Sequence, residues 1–165
     1  MPAFVPVSAD AYISIVPPRK ALVPVRMNVH RIAFGSSISH CAELRRIVQA
    51  FARIEGYSMT FKSELELTVH EAFVNAVLHG NGSNPELPVS ITFIAGLEAR
   101  GGSLQVEVRD CGEGFDSLPL RDFSITLAEP SLSGRGVPLM AHFSESLRVE
   151  KHRDGSVLIL SYIPH

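Results

Sequence analysis

Apolar positions in this chain follow two different periods, and the changes of period mark out its elements. Arg26–Phe34 reads as a strand. Ser39 to Glu55 carries Leu44, Ile47, Val48 and Phe51 at helical spacing, with Gly56 placed to end the helix. Ser63 followed by Glu66 matches a capping box, in which two side chains satisfy orphan amide donors reciprocally. That signal predicts a second helix from Glu64 to about His79, stopped at Gly80, a residue that tolerates the left-handed C-terminal conformation. Two alternating strands follow, one through Val89, Ile91, Phe93 and Ala95, the other through Leu104, Val106 and Val108, with Gly101-Gly102 turning between them. From Asp116 to Ser133 the periodicity vanishes, which predicts a loop long enough to be functional. A short helix near Val137–Phe143 and a hairpin of Ser146–His152 and Ser156–Ile163 around Asp154-Gly155 complete the chain. The expected fold class is α+β: a two-layer sandwich with a mixed, mostly antiparallel sheet and its helices on one face.

The first 25 residues break this pattern. Five of the eleven prolines fall at Pro2, Pro6, Pro17, Pro18 and Pro24, and proline lacks the donor that helices and sheet ladders need. Residues 1–25 are therefore expected to form a proline-rich arm and residues 26–165 the domain. Tyr12, Ile13, Ile15 and Val16 are apolar enough for the arm to dock on a partner, although a frayed tail explains it as simply. The 165 residues, 45% apolar and 19% charged, suffice for one hydrophobic core without metals or disulfides. Fifteen Lys and Arg against 17 Asp and Glu give a net charge of −2, so no global field favours nucleic acid. No apolar run approaches a membrane span, no secretory leader is visible, and Cys41 and Cys111 are too few for a disulfide scaffold. These bounds predict a cytoplasmic protein with no nucleic-acid or membrane partner.

On the second predicted helix, Leu65, Val69, Ala72, Phe73, Ala76 and Val77 share one face, while Glu64, Leu67, Glu71, Asn75, Leu78 and His79 share the other. Glu71 and Asn75 are i,i+4 neighbours and project together. As a structural pair they are weak; as chemistry, Asn offers an oxygen ligand for Mg²⁺ and Glu a base that can take a proton. Asp110-Cys111-Gly112-Glu113-Gly114-Phe115 follows a strand directly, so its glycines admit a ligand to the backbone while Asp110 can accept from an exocyclic amine. Ser133-Gly134-Arg135-Gly136 precedes the short helix, where backbone amides and a guanidinium suit a phosphate. Taken singly, the three segments read equally as a solvated face, a strand-ending turn and a linker. Other chemistries fail on spacing: His70-Glu71 lacks a second zinc ligand at Val74, and no GxxxxGK[ST] or GxSxG occurs.

In this order and spacing, the segments resemble the N, G1 and G2 boxes of the ATP-binding superfamily shared by gyrase, the large heat-shock chaperones, mismatch-repair ATPases and histidine kinases. Glu71-Ala-Phe-Val-Asn75-Ala-Val-Leu-His79-Gly80-Asn81 is similar to the N box of bacterial anti-sigma serine-protein kinases. Asp110–Phe115 resembles their G1 box, Gly134-Arg135-Gly136 with Leu139-Met140 their G2 box, and Gly155-Ser156 stands where the family usually shows Gly-Thr. The resemblance covers about Val25 to Ile163. It implies ATP and Mg²⁺ as cofactors, with Asn75 coordinating the metal and Glu71 as catalytic base. It further implies Asp110 reading the adenine amino group, Gly112 and Gly114 making room for the base, and Ser156 near adenine. Gly134, Arg135 and Gly136 would contact phosphates, Asp116–Ser133 would be the ATP lid, and His79 would line the pocket or serve only as a helix end. Pro138 and Cys111 depart from the family pattern; a proline in the first turn of a helix costs little.

The implied activity is that of a serine/threonine-protein kinase, which phosphorylates an anti-anti-sigma partner and sequesters a sigma factor in a partner switch. The alternative is a nucleotide-gated binding module without useful kinase activity. A histidine-kinase catalytic domain is disfavoured, because some 25 residues before the first strand cannot supply a phosphoacceptor hairpin. The resemblance also admits a homodimer through about Arg26–Glu55, residues that periodicity explains equally well as core.

Overall fold

The computed structural model describes residues 4–8 and 11–14 as backbone, and residues 27–96, 102–113 and 136–165 in full. The predicted lid, the Gly101 turn position, and Gly114, Gly134 and Arg135 lie outside the described residues. In chain order the elements are β1 (Phe4–Ser8), β2 (Ala11–Ser14), β3 (Met27–Gly35), α1 (Cys41–Ile54), α2 (Met59–Asn75), β4 (Pro88–Gly96), β5 (Leu104–Asp110), α3 (Gly136–Phe143), β6 (Ser146–His152) and β7 (Gly155–Tyr162). A single 3₁₀ turn, Ile38–His40, leads into α1. Within the proline-rich segment β1 and β2 pair antiparallel, with Pro6 opposite Tyr12.

The other five strands form one sheet in the order β3-β4-β5-β7-β6, and every neighbouring pair is antiparallel. Because side chains alternate along a strand, register lines the rows of one face. His30, Phe93, Val106, Leu160 and Leu147 stand abreast, followed by Ile32, Ile91, Val108, Leu158 and Val149. The helices cover this face. Leu44, Val48 and Phe51 of α1 and Phe61, Leu65, Val69 and Phe73 of α2 are buried in one core with the β4, β5 and β7 residues of these rows and Leu147, while Ile32 and Val149 pack at its margin and His30 stays exposed. Phe51 lies 4.7 Å from Phe93 between ring centroids, and Phe34 meets Phe73 edge-on at 5.8 Å. The apolar face of α1 is thus spent on the core, whereas Met27 and Val29 on the edge strand β3 stay exposed. The fold class is α+β as expected, with an open sheet that is antiparallel throughout its described pairs.

The second helix corrects the sequence reading at both ends. It starts at Met59, with Ser58 as N-cap accepting from the Phe61 amide at 3.1 Å. Ser63 instead lies inside the helix and donates back to the Met59 carbonyl, while Glu66 pairs with Arg45 at 2.7 Å and accepts from Gln49. The extra turn exists because it buries Phe61, stacked edge-on with Tyr57 and Tyr162. Ser58→Ala is therefore expected to cost about 1 kcal/mol, the usual value of a lost N-cap. Ser63→Ala should leave a denaturant melt within about 0.5 kcal/mol of the unaltered protein, since a serine back-bonded within a helix stabilises it little.

At its C-terminal end α2 widens. Ala76–Gly80 forms a π turn, in which the Asn81 amide donates to the Ala76 carbonyl at 2.8 Å. Such widened turns collect at functional sites. Midway along, Thr68 meets the Tyr162 hydroxyl at 2.7 Å and ties α2 to β7, and burial pushes the Tyr162 phenol far above its usual range.

Candidate functional site

Segments far apart in the sequence meet around the C-terminal end of α2 and the π turn that follows it. Asp110 closes β5 opposite Ser156 of β7. One carboxylate oxygen, Oδ1, accepts from the Gly112 amide at 2.8 Å and from the Ser156 hydroxyl at 3.0 Å. Those two bonds hold the side chain in one rotamer, and no hydrogen bond from a described residue falls on Oδ2. A carboxylate only 9% exposed needs such donors, because a buried charge without partners is costly. Oδ2 is left as an acceptor for a ligand donor.

Glycine permits the crowding around this carboxylate. A Cβ at Gly80 would collide with the Asp110 carboxyl carbon, and one at Gly112 with the Gly80 carbonyl oxygen. At Gly155, whose φ is +146°, a Cβ would collide with the Asp110 carbonyl oxygen. The end of α2, the turn after β5 and the start of β7 therefore interlock through positions that admit no side chain.

A second cluster lies earlier on the same run of helix, in the last turns of α2 before the π turn. Glu71 and Asn75 are both half-buried, and the start of α3 comes down on them. A Cβ at Gly136 would lie 2.8 Å from Glu71 Oε2 and 3.4 Å from Asn75 Nδ2. Neither side chain is committed to a hydrogen bond or ion pair with another described residue. Both can therefore act on a ligand. Pro138 falls in the first turn of α3, where the missing amide removes no intrahelical bond, so this departure from the family pattern is harmless.

The two clusters sit on one helix, from Glu71 to Gly80, roughly 13 Å apart at 1.5 Å per residue. At one end is an acceptor aimed by two donors, at the other an uncommitted carboxylate and carboxamide beside a helix start. Of the residues singled out from the sequence, Glu71, Asn75 and Gly136 come together, as do Asp110, Gly112 and Ser156. His79 is exposed on the π turn, one residue before the glycine that abuts Asp110. Gly114, Gly134 and Arg135 lie outside the described residues.

Sequence reasoning left three participants without a role. Gly80 reads as a helix stop and Gly155 as a hairpin glycine, yet both make room for Asp110. Asn81 only closes the segment that resembles the N box, with no role of its own, yet it is 5% exposed. The available signal was the Gly80-Asn81 pair itself, since a glycine needed only for a C-cap gives no reason for the next residue to be buried.

Residues 34–162 match the family model described as the histidine kinase-like ATPase domain. An anti-sigma F factor of Shouchella clausii is 29% identical over 124 residues, which cover 74% of this chain and 82% of that protein. One of Clostridium botulinum is 26% identical over 129 residues, covering 77% of this chain and 87% of its own. Among solved structures, that of the RsbU and RsbW domains of a Mycobacterium tuberculosis protein superposes with a TM-score of 0.59 at 14% identity. The match covers 83% of this chain and 32% of the other, and it shows a shared fold. With the family model spanning α1 to α3, β4 to β7 and both clusters, the chain belongs to the histidine kinase-like ATPase domain family.

Proposed function

We propose that the protein is an ATP-dependent serine/threonine-protein kinase that phosphorylates an anti-anti-sigma partner and, as an anti-sigma factor, holds a sigma factor in a partner switch. The observation that carries this reading is the two-ended site on α2. Asp110 Oδ2 accepts from the exocyclic amine of adenine, with Ser156 and the Gly112 amide fixing the other oxygen. Gly80 and Gly112 leave the base room to approach. The backbone at Gly136, with Gly134 and Arg135 before it, takes the phosphates, and His79 borders the pocket. The kinship with anti-sigma F factors supports the choice of partners.

The residues at the phosphate end suit magnesium. The Asn75 carboxamide is a hard oxygen donor with no competing bond among the described residues, and no group of three or more His, Cys, Asp or Glu side chains gathers there or elsewhere among them. That donor set fits an ion that keeps waters and phosphate oxygens as its remaining ligands. When bound, magnesium neutralises charge developing on the transferred phosphoryl group. Glu71, beside Asn75, accepts the proton of the partner's serine or threonine hydroxyl as it attacks. The phosphorylated partner gains roughly −1.5 to −2 charge and leaves by repulsion from the acceptor-rich site, freeing the surface for a sigma factor. A homodimer would use the edge strand β3, where Met27 and Val29 are exposed, because the apolar face of α1 is occupied by the core.

Incubation of the protein with labelled ATP, magnesium and an anti-anti-sigma protein tests this reading. Label should pass to a serine or threonine of the partner. ATP binding with no transfer would replace the kinase by a nucleotide-gated binding module.

A further inference from the structure

We infer that Asn81 is a positioning residue for adenine recognition, one that aims Asp110 by pinning the turn after β5 to the end of α2. This rests on the reading of Asp110 given above. Asn81 uses its whole side chain inside the protein. Its Oδ1 accepts from the Cys111 amide at 2.7 Å, and its Nδ2 donates to Ser36 Oγ at 2.6 Å and to the Pro88 carbonyl at 3.0 Å. The orientation of the amide follows from chemistry: a backbone N–H can only donate and a proline carbonyl can only accept. Ser36 is 1% exposed and its hydroxyl donates in turn to the Leu87 carbonyl at 2.7 Å, so the network closes on the ends of β3 and β4.

The consequence reaches Asp110 through one peptide. Cys111 is exposed, and its amide would otherwise face water. With that amide held by Asn81, the Asp110–Cys111–Gly112 turn is fixed and the Gly112 amide meets Asp110 Oδ1. Asn81 also follows Gly80 directly, so the residue that leaves space for the carboxylate and the one that orients its turn are adjacent. Removing the Asn81 amide would leave Asp110 in place but free its turn to rotate, and the angle of Oδ2 toward a ligand amine would no longer be set.

The test combines amide hydrogen exchange on the ligand-free protein with titrations of ATP and inosine triphosphate, which carries an oxygen where adenine carries its amino group. In the unaltered protein the Cys111 amide should exchange slowly despite the exposure of that residue. Exchange at the rate of an unstructured peptide would overturn the proposal without any variant. Asn81→Leu should lose that protection and reduce the preference for ATP over inosine triphosphate roughly tenfold or more, about the worth of one hydrogen bond to a charged group. If the unaltered protein prefers ATP and a folded Asn81→Leu prefers it equally, the Asn81 proposal fails alone. If the unaltered protein binds both nucleotides alike, or neither, the adenine reading of Asp110 fails first.

Discussion

Glu71→Ala is expected to lower phosphotransfer to the partner by roughly 10²- to 10⁴-fold, the usual worth of a positioned general base. ATP affinity should stay within about threefold. The two halves of this expectation come from the same geometry. Glu71 lies beside Asn75 and faces Gly136, roughly 13 Å along the helix from the glycine that abuts Asp110, so it contributes to the transfer and little to holding the base. Its half-buried position in α2 tolerates alanine, the best helix former, so loss of activity would not reflect loss of fold. Glu71→Gln is the sharper companion, keeping the volume beside Gly136 while removing the proton acceptor. Single-turnover transfer from labelled ATP, with affinity measured separately, reads both quantities. Undiminished transfer by either variant would remove Glu71 from the role of base.

The second large effect is on stability. Gly155→Ala should destabilise the fold by roughly 3 kcal/mol, combining backbone strain at positive φ with overpacking, each worth about 1–3 kcal/mol. For a chain of this size that corresponds to a fall in Tm of about 6–12 °C. The Cβ would meet the carbonyl oxygen of Asp110, a backbone atom at the end of β5 paired to β7, which cannot swing aside as a side chain could. Gly56 is the informative control. Its φ is +76° at the end of α1, but a Cβ there meets nothing within 4 Å. Gly56→Ala should therefore cost only about 1 kcal/mol, the left-handed penalty alone. Equal losses for the two variants in thermal melts would mean that crowding at Asp110 has no energetic weight.

How far the fold was legible in the sequence depends on the range of the forces that set each element. The strands were legible because period-two alternation and turn glycines act locally, and β4 to β7 fall where the pattern puts them. The start of α2 was not. Ser63 and Glu66 carry the capping pattern, but the helix begins a turn earlier because burying Phe61 against Tyr57 and Tyr162 outweighs a local cap. The widened turn at Ala76–Gly80 likewise packs against the end of β5, distant in sequence.

The site divides in the same way. Glu71 and Asn75 were legible as an i,i+4 pair on a helix, and Asp110 and Gly112 as a polar turn directly after a strand. Asn81 was not, because its partners Ser36, Pro88 and Cys111 come from three other segments and only the fold assembles them. Gly155 was legible as a turn residue but not as the neighbour of Asp110, since that closeness depends on the pairing of β5 with β7.

Isothermal calorimetry of the purified protein with magnesium and ATP tests most directly the claim that α2 carries a nucleotide between Asp110 and Glu71. Saturable heat with a stoichiometry near one per chain, strongly reduced by Asp110→Asn, is the predicted result. An unaltered protein that gives no heat with ATP or ADP would contradict it.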